Sequence, residues 1–262
     1  MKNILLSLLL LLCVSTATMA QYDLSTGYVY SRPQQQMGDY IKHAHGLQFQ
    51  ALYRLPNSRL AFGAGIGFNG YGSETSRQTY RFGDGSTTET DVSVDNAFST
   101  FALIGRLDLL PASIVTPYLT GQAGYSLYRT SLYIENPDDP DGCKPLENKA
   151  LQTDGAFSVS GGGGLRWDLS SIIKKASKQR FFADISALYT QGGKVSYMNV
   201  NIPATPATHH HPVPASGDVF SYSTRFINPV NQVVHEHHVG DVYSSYIRMM
   251  EFKLGFVYRI SK

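Results

Sequence analysis

The stretch Tyr246–Ile260 (YIRMMEFKLGFVYRI) constrains the fold more than any other part of the chain. In its second half Phe252, Leu254, Phe256, Tyr258 and Ile260 alternate with Glu251, Lys253, Gly255 and Arg259. A strand sends successive side chains to opposite faces, so this one has an oily face and a charged face. A soluble barrel turns the oily face inward. In the other alternating segments of this chain the polar positions are glycine, serine, threonine and glutamine with scattered charges, the set that fits a narrow interior. The oily face is therefore expected to point outward, into lipid.

Alternation of this kind recurs along the chain. Tyr22–Tyr30 places Tyr22, Leu24, Thr26, Tyr28 and Tyr30 on one face, and Ser31–His43, with Pro33 and Gly38, reads as a loop. His45–Leu55 alternates next, followed by the tight turn Pro56–Arg59. Leu60–Phe82 and Ser86–Leu110 form two long arms around Gly83-Asp84-Gly85. Each arm has roughly 23 residues where a crossing needs ~9–11, so the surplus predicts a hairpin protruding by about 30–40 Å. Pro117–Ile134, Phe157–Leu169 and Phe181–Tyr189 follow, with Asn136–Asp154 a polar loop and Ser170–Gln179 a basic turn. A proline- and histidine-rich loop, Ile202–Asp241, leads to the closing strand. The sum is an all-β chain: an antiparallel up-and-down transmembrane β-barrel of eight strands with alternating short and long connections. A ten-stranded barrel, recruiting Val219–Phe226 and Val233–Val239 as spans, is the alternative.

Residues 1–20 read as a secretory signal peptide, with Lys2 before the apolar core Ile4–Val14 and cleavage expected before Gln21. Cys13 is the acylation candidate of a lipoprotein signal, but the bulky Leu12 before it disfavours that reading. Residues 21–262 then make one barrel domain with a single cysteine, Cys143, so it must stand without an internal disulfide. The formal net charge of +2 argues against a nucleic-acid partner. The 24 glycines and 17 tyrosines suit a cramped lumen and aromatic belts at the membrane surfaces.

The alternating strands, the rhythm of short turns and long loops, and the closing FKLGFVYRI together resemble the eight-stranded outer-membrane barrels of the OmpX and OmpA-barrel type, in the form common among Bacteroidota. The resemblance covers essentially the whole mature chain. It implies a cell outer-membrane location, both mature termini periplasmic, extracellular loops, and contact with outer-membrane lipid and lipopolysaccharide. It also implies that Phe252, Leu254, Phe256, Tyr258 and Ile260 form the signal read by the outer-membrane insertion machinery. The chain departs from that signal by ending Ile260-Ser261-Lys262 rather than on an aromatic residue.

By strand parity Arg54, Arg106, Asp108, Arg166, Asp168, Asp184, Glu251, Lys253 and Arg259 face the lumen. An unpaired buried charge is costly, so these side chains are expected to interlock and close the pore. Gly65-Ile66-Gly67-Phe68-Asn69-Gly70 matches a dinucleotide-binding pattern, but the two-residue period runs through it and no helix is due. Gly161–Gly164 lacks the Lys-Ser/Thr of a phosphate loop. His209, His210, His211, His235, His237 and His238 crowd the last loop and are candidate ligands for zinc, copper or nickel, against the plainer reading of a solvated loop. Asp138, Asp139 and Asp141 miss the register of a calcium loop. No nucleophile with a base and an orienting partner emerges, so no enzymatic activity and no resident cofactor are expected. The expected role is structural or interactive, with an extracellular protein partner for the exposed sheet. The alternatives are a narrow channel for small or hydrophobic solutes and a metal-binding surface protein.

Overall fold

The computed structural model describes residues 21–81, 85–111, 113–137, 145–169, 180–199, 220–227 and 234–261. The signal region, the basic turn 170–179, Asp138, Asp139, Asp141, Cys143 and His209–His211 lie outside the described residues. Nine strands and one short helix follow in order: β1 (Gln21–Pro33), α1 (Gln35–Tyr40), β2 (Ala44–Arg54), β3 (Leu60–Arg81) and β4 (Thr87–Asp108). Then come β5 (Val115–Ile134), β6 (Glu147–Asp168), β7 (Arg180–Met198), β8 (Phe220–Ile227) and β9 (Val234–Ser261).

Every neighbouring pair is antiparallel, and β9 returns to β1 from Gln21↔Ser261 to Pro33↔Met249. The wall is thus a closed barrel of eight strands, β1 to β7 plus β9. The eighth strand in sequence, β8, pairs with the upper part of β9, from Phe220↔Val242 to Ile227↔Val234. It stands outside the wall. The segments Val219–Phe226 and Val233–Val239 therefore do not add two spans; they fall on β8 and the start of β9, forming a hairpin beyond the barrel. Neither segment has a clean apolar face to offer lipid, which is why a wall position does not suit them.

Alternation holds around the wall. Leu24, Phe49, Phe62, Leu103, Leu119, Ile185, Leu254 and Phe256 point outward and are exposed. Positions between them are small or polar and turned into the lumen. The inward glycines of β6 have a packing reason: a Cβ on Gly162 would stand 2.1 Å from the Ala187 carbonyl oxygen, and one on Gly164 would meet Tyr118 Oη at 2.5 Å. The Gly65–Gly70 run likewise sits within β3, with no helix after it.

The strands differ in length. β1 and β2 have 13 and 11 residues, close to the ~9–11 of a crossing, whereas β3, β4 and β6 have 22 and β9 has 28. The expected protrusion is broader than the one β3–β4 hairpin. β2 leaves β3 at His45↔Gly70, after which β3, β4, β5 and β6 continue together as a four-stranded sheet. β6 leaves β7 at Ser158↔Gly192, and β7, β9 and β8 continue as a separate ribbon. In place of a ladder, Asp154 Oδ2 accepts the Ser196 backbone N–H at 2.7 Å across the parting.

Two loops expected from composition are partly ordered. Asn136–Asp154 gives way to strand at Glu147, because Leu146 and Leu151 pack onto Val92, Val94, Leu132 and Ile134 on the inner face of the projecting sheet. Ser31–His43 contains α1, which carries Met37 and Ile41 into the mouth of the barrel.

Candidate functional site in the barrel lumen

The lumen is built in layers, starting at the end with the short turns. Asp23, an inward position near the start of β1, lies 1% exposed among three guanidinium groups. Arg166 Nη1 donates to it at 2.8 Å, Arg259 Nε at 2.7 Å, and Arg54 Nη2 lies at 3.5 Å. Asp108 completes the floor, accepting from Arg166 Nη2 at 2.8 Å and from Arg54 Nη2 at 2.5 Å. Phe182, facing in from β7, lies beneath two of these cations, with Arg259 at 4.6 Å and Arg166 at 5.4 Å from its ring centroid. Its charged groups come from five strands and Phe182 from a sixth, so the floor cross-braces the wall. The energetic logic is that of a buried network: the pairing offsets desolvation, and removal of one partner strands the others.

Above the floor, Tyr118 Oη donates to Asp184 Oδ1 at 2.7 Å, and the Arg106 guanidinium stacks over the Tyr118 ring at 4.6 Å. Arg106 Nη2 donates to Gln50 Oε1 at 3.3 Å. A cavity of about 30 Å³ opens here among Gln50, Arg106, Tyr118, Asp184 and Lys253. It is of the size that holds one or two waters. Arg106 Nε and Nη1 and Asp184 Oδ2 are buried without a protein hydrogen-bond partner, so they supply the polar contacts such waters need. One level higher, Lys253 Nζ sits 3.1 Å from Glu251, which also accepts from Thr190 Oγ1 at 3.2 Å.

The opposite mouth is closed by apolar side chains. Met37 from α1 and Ile41 at its C-terminal cap join Tyr71, Phe98, Tyr128 and Ile247 in one buried cluster. Phe98 and Tyr128 stack at 5.0 Å and Tyr40 stacks on Tyr243 at 3.9 Å. Two hydrogen bonds hold the helix down: the Gln34 N–H donates to the Arg248 carbonyl at 2.8 Å, and the Asn199 side-chain Nδ2 donates to the Tyr40 carbonyl.

The structure thus brings Arg54, Asp108, Arg166 and Arg259 into one cluster, Arg106 and Asp184 into a second, and Glu251 and Lys253 into a third. Asp168 belongs to none of these. It sits at the rim, 3.6 Å from the exposed Arg180, since it is the last residue of its strand. Asp23 is the central carboxylate that sequence reasoning passed over, although its parity opposite Tyr22 and Leu24 assigns it to the lumen.

Of the histidine set, His235 and His237 occupy alternate register positions on β9, opposite Phe226 and Thr224, while His238 lies opposite Ser223. Phe252, Leu254, Phe256, Tyr258 and Ile260 line up against β1 between Tyr30 and Tyr22, on the barrel's closing seam.

No protein-family model matches the chain, and no curated protein matches it. Solved structures do. Neisserial surface protein A is 12% identical, with 93% of this chain and 97% of that chain covered at a TM-score of 0.38. The attachment invasion locus protein Ail of Yersinia pestis, solved with the heparin analogue sucrose octasulfate, is 12% identical over 92% of this chain and 99% of that one, at 0.37. A major outer membrane protein from Thermus thermophilus is 13% identical over 92% and 99%, at 0.45. The eight-stranded closure itself rests on the strand pairing of this chain, in which β9 returns to β1.

Proposed function

We propose that this chain is an integral outer-membrane protein with a closed lumen, and that it acts by structure and surface contact rather than by transport or catalysis. The observation that carries this reading is the inverted barrel. A belt of exposed leucine, phenylalanine and isoleucine surrounds a charged, hydrogen-bonded interior, an arrangement stable only with lipid outside. Beyond the crossing, the four-stranded sheet ends at β3, whose residues from Gly72 to Arg81 pair with β4 alone among the described strands. Such an edge can accept a strand from an extracellular protein partner. The short turn Pro56–Arg59 and both ends of the mature chain then face the periplasm, and the sheet faces outward.

Cysteine labelling in intact cells tests this. In a Cys143→Ser background, Ser76→Cys on the projecting β3 should react with a membrane-impermeant maleimide. Ser58→Cys in the short turn should react only after the outer membrane is permeabilised. Labelling of Ser58→Cys in intact cells, or recovery of the protein in the periplasm without detergent, would sink the proposal.

A second reading adds a divalent metal site on the β8–β9 hairpin. It is favoured by the alternate positions of His235 and His237 on β9, with His209–His211 on the connection that precedes β8. Neutral imidazole is the ligand form, so zinc, copper or nickel should bind above a pH of about 6.5 and be released below it.

A further inference from the structure

The parting of β6 from β7 leaves a mark on the lipid-facing surface. An open groove of about 870 Å³ lies there, lined by Ala64, Leu103, Ala123, Tyr125, Phe157 and Gly193 among others. Its origin is local. Ala64 and Ala123 put small side chains where their neighbours are large, and Gly192 and Gly193 sit in the bulge between Gln191 and Lys194 with no side chains at all. Tyr125 and Phe157 stand edge to face at 5.5 Å and form one wall, and Phe157 is 78% exposed. Both aromatics lie roughly ten residues from the short-turn ends of their strands, where a ~9–11-residue crossing is complete. The groove therefore meets the membrane at the level where acyl chains give way to headgroups.

A second feature is independent of the first. Immediately past the groove two cations point outward: Lys194, next to Gly193, and Arg129, four residues along β5 from Tyr125. Both are exposed, and neither forms an ion pair with a described residue. Of the nearby carboxylates, Asp95, diagonal to Arg129 across the β4–β5 pair, accepts from Ser73 Oγ at 2.6 Å, and Asp154 is engaged by the backbone N–H groups of Gly155 and Ser196, both at 2.7 Å. Apolar surface below and unpaired positive charge above is the pattern of an amphiphile with an anionic head.

We propose that the groove is a site for an anionic, phosphate-bearing lipid of the surrounding leaflet, with one acyl chain against Phe157 and Tyr125 and its phosphate between Lys194 and Arg129. The site rests on the membrane reading above. It is tested by native mass spectrometry of the purified full-length mature protein, titrated in non-ionic detergent with phosphatidylglycerol or with phosphatidylcholine of identical chains. The wild type should retain one phosphatidylglycerol with roughly tenfold preference, since two surface cations attract the anionic head. Lys194→Gln with Arg129→Gln should erase the preference and leave the weaker retention of phosphatidylcholine. Ala123→Trp, which fills the groove from the lipid side, should lower retention of both lipids. Equal retention of the two lipids by the wild type, or an unchanged preference in the double variant, overturns the proposal, as does unchanged retention in Ala123→Trp. Unboiled gel mobility reports whether each variant is folded. Failure of the wild type to enter vesicles at all would overturn the membrane reading itself, an outcome distinct from loss of lipid preference.

Discussion

Asp23 touches three cations from three strands, and its position shows what one residue can hold in a barrel. Replacing it with alanine leaves Arg54, Arg166 and Arg259 facing one another over Asp108 alone. We expect a loss of about 3–5 kcal/mol, less if water enters the floor, read from the urea midpoint of the protein in lipid vesicles. Asp168→Ala is the control: its partner Arg180 is mostly exposed, so the change should stay within about 1 kcal/mol. Equal effects from the two substitutions would mean the floor is not a network. Parity fits both residues to the lumen, although sequence reasoning named only Asp168, and parity alone cannot rank them. Depth along the strand separates a floor residue from a rim residue, and that depends on where each strand enters the wall. The histidines mark the same boundary of sequence reasoning, since register gives alternate positions to His235 and His237 and says nothing of His209–His211. Calorimetry with zinc, copper and nickel at pH 7.5 should show heats that vanish when all six histidines of the last loop are changed to alanine. Identical heats from both proteins would leave the hairpin as solvated surface.

At the scale of elements, wall strands were legible because lipid on one side and a narrow lumen on the other enforce a two-residue period. Leu47, Phe49, Ala51 and Tyr53 of β2 show it without interruption. The parts that escaped are those that answer to neither environment. The helix α1 has 6 residues, no side-chain cap and no apolar stripe; what fixes it is Met37 and Ile41 dropping into a ready cluster. Met37→Ala should accordingly cost about 2–5 kcal/mol, the usual penalty for emptying a buried aliphatic site, measurable by the same urea titration. A loss under about 0.5 kcal/mol would make α1 a passive lid. The first half of β6 escaped for a related reason: Glu147, Asn148, Lys149 and Gln152 read as loop, and only Leu146 and Leu151 betray the sheet beneath.

For the whole molecule, the charged floor and the apolar ceiling fill the two ends of the lumen, with water-sized cavities between them. Purified protein in a planar bilayer should show no stepwise conductance. A variant opened at one end alone, Met37→Ser with Ile41→Ser, should stay silent as well, because the floor remains intact. Regular channel steps from the wild type would replace the closed-lumen reading with that of a narrow channel. The floor also has a place in time. Asp23 and Arg259 are 236 residues apart in sequence, yet they bond across the seam where the first strand meets the last. Contacts of such separation come late, since the loop they close carries a large entropic cost until the intervening strands are laid down. Until β9 docks, the nascent wall carries Asp23 and Asp108 with two of their three cations, along an unpaired edge. A chain truncated before Arg259 therefore leaves Asp23 short of two hydrogen bonds as well as leaving its strand edge unpaired, so completion of the last strand and satisfaction of the buried carboxylate on the first become one event.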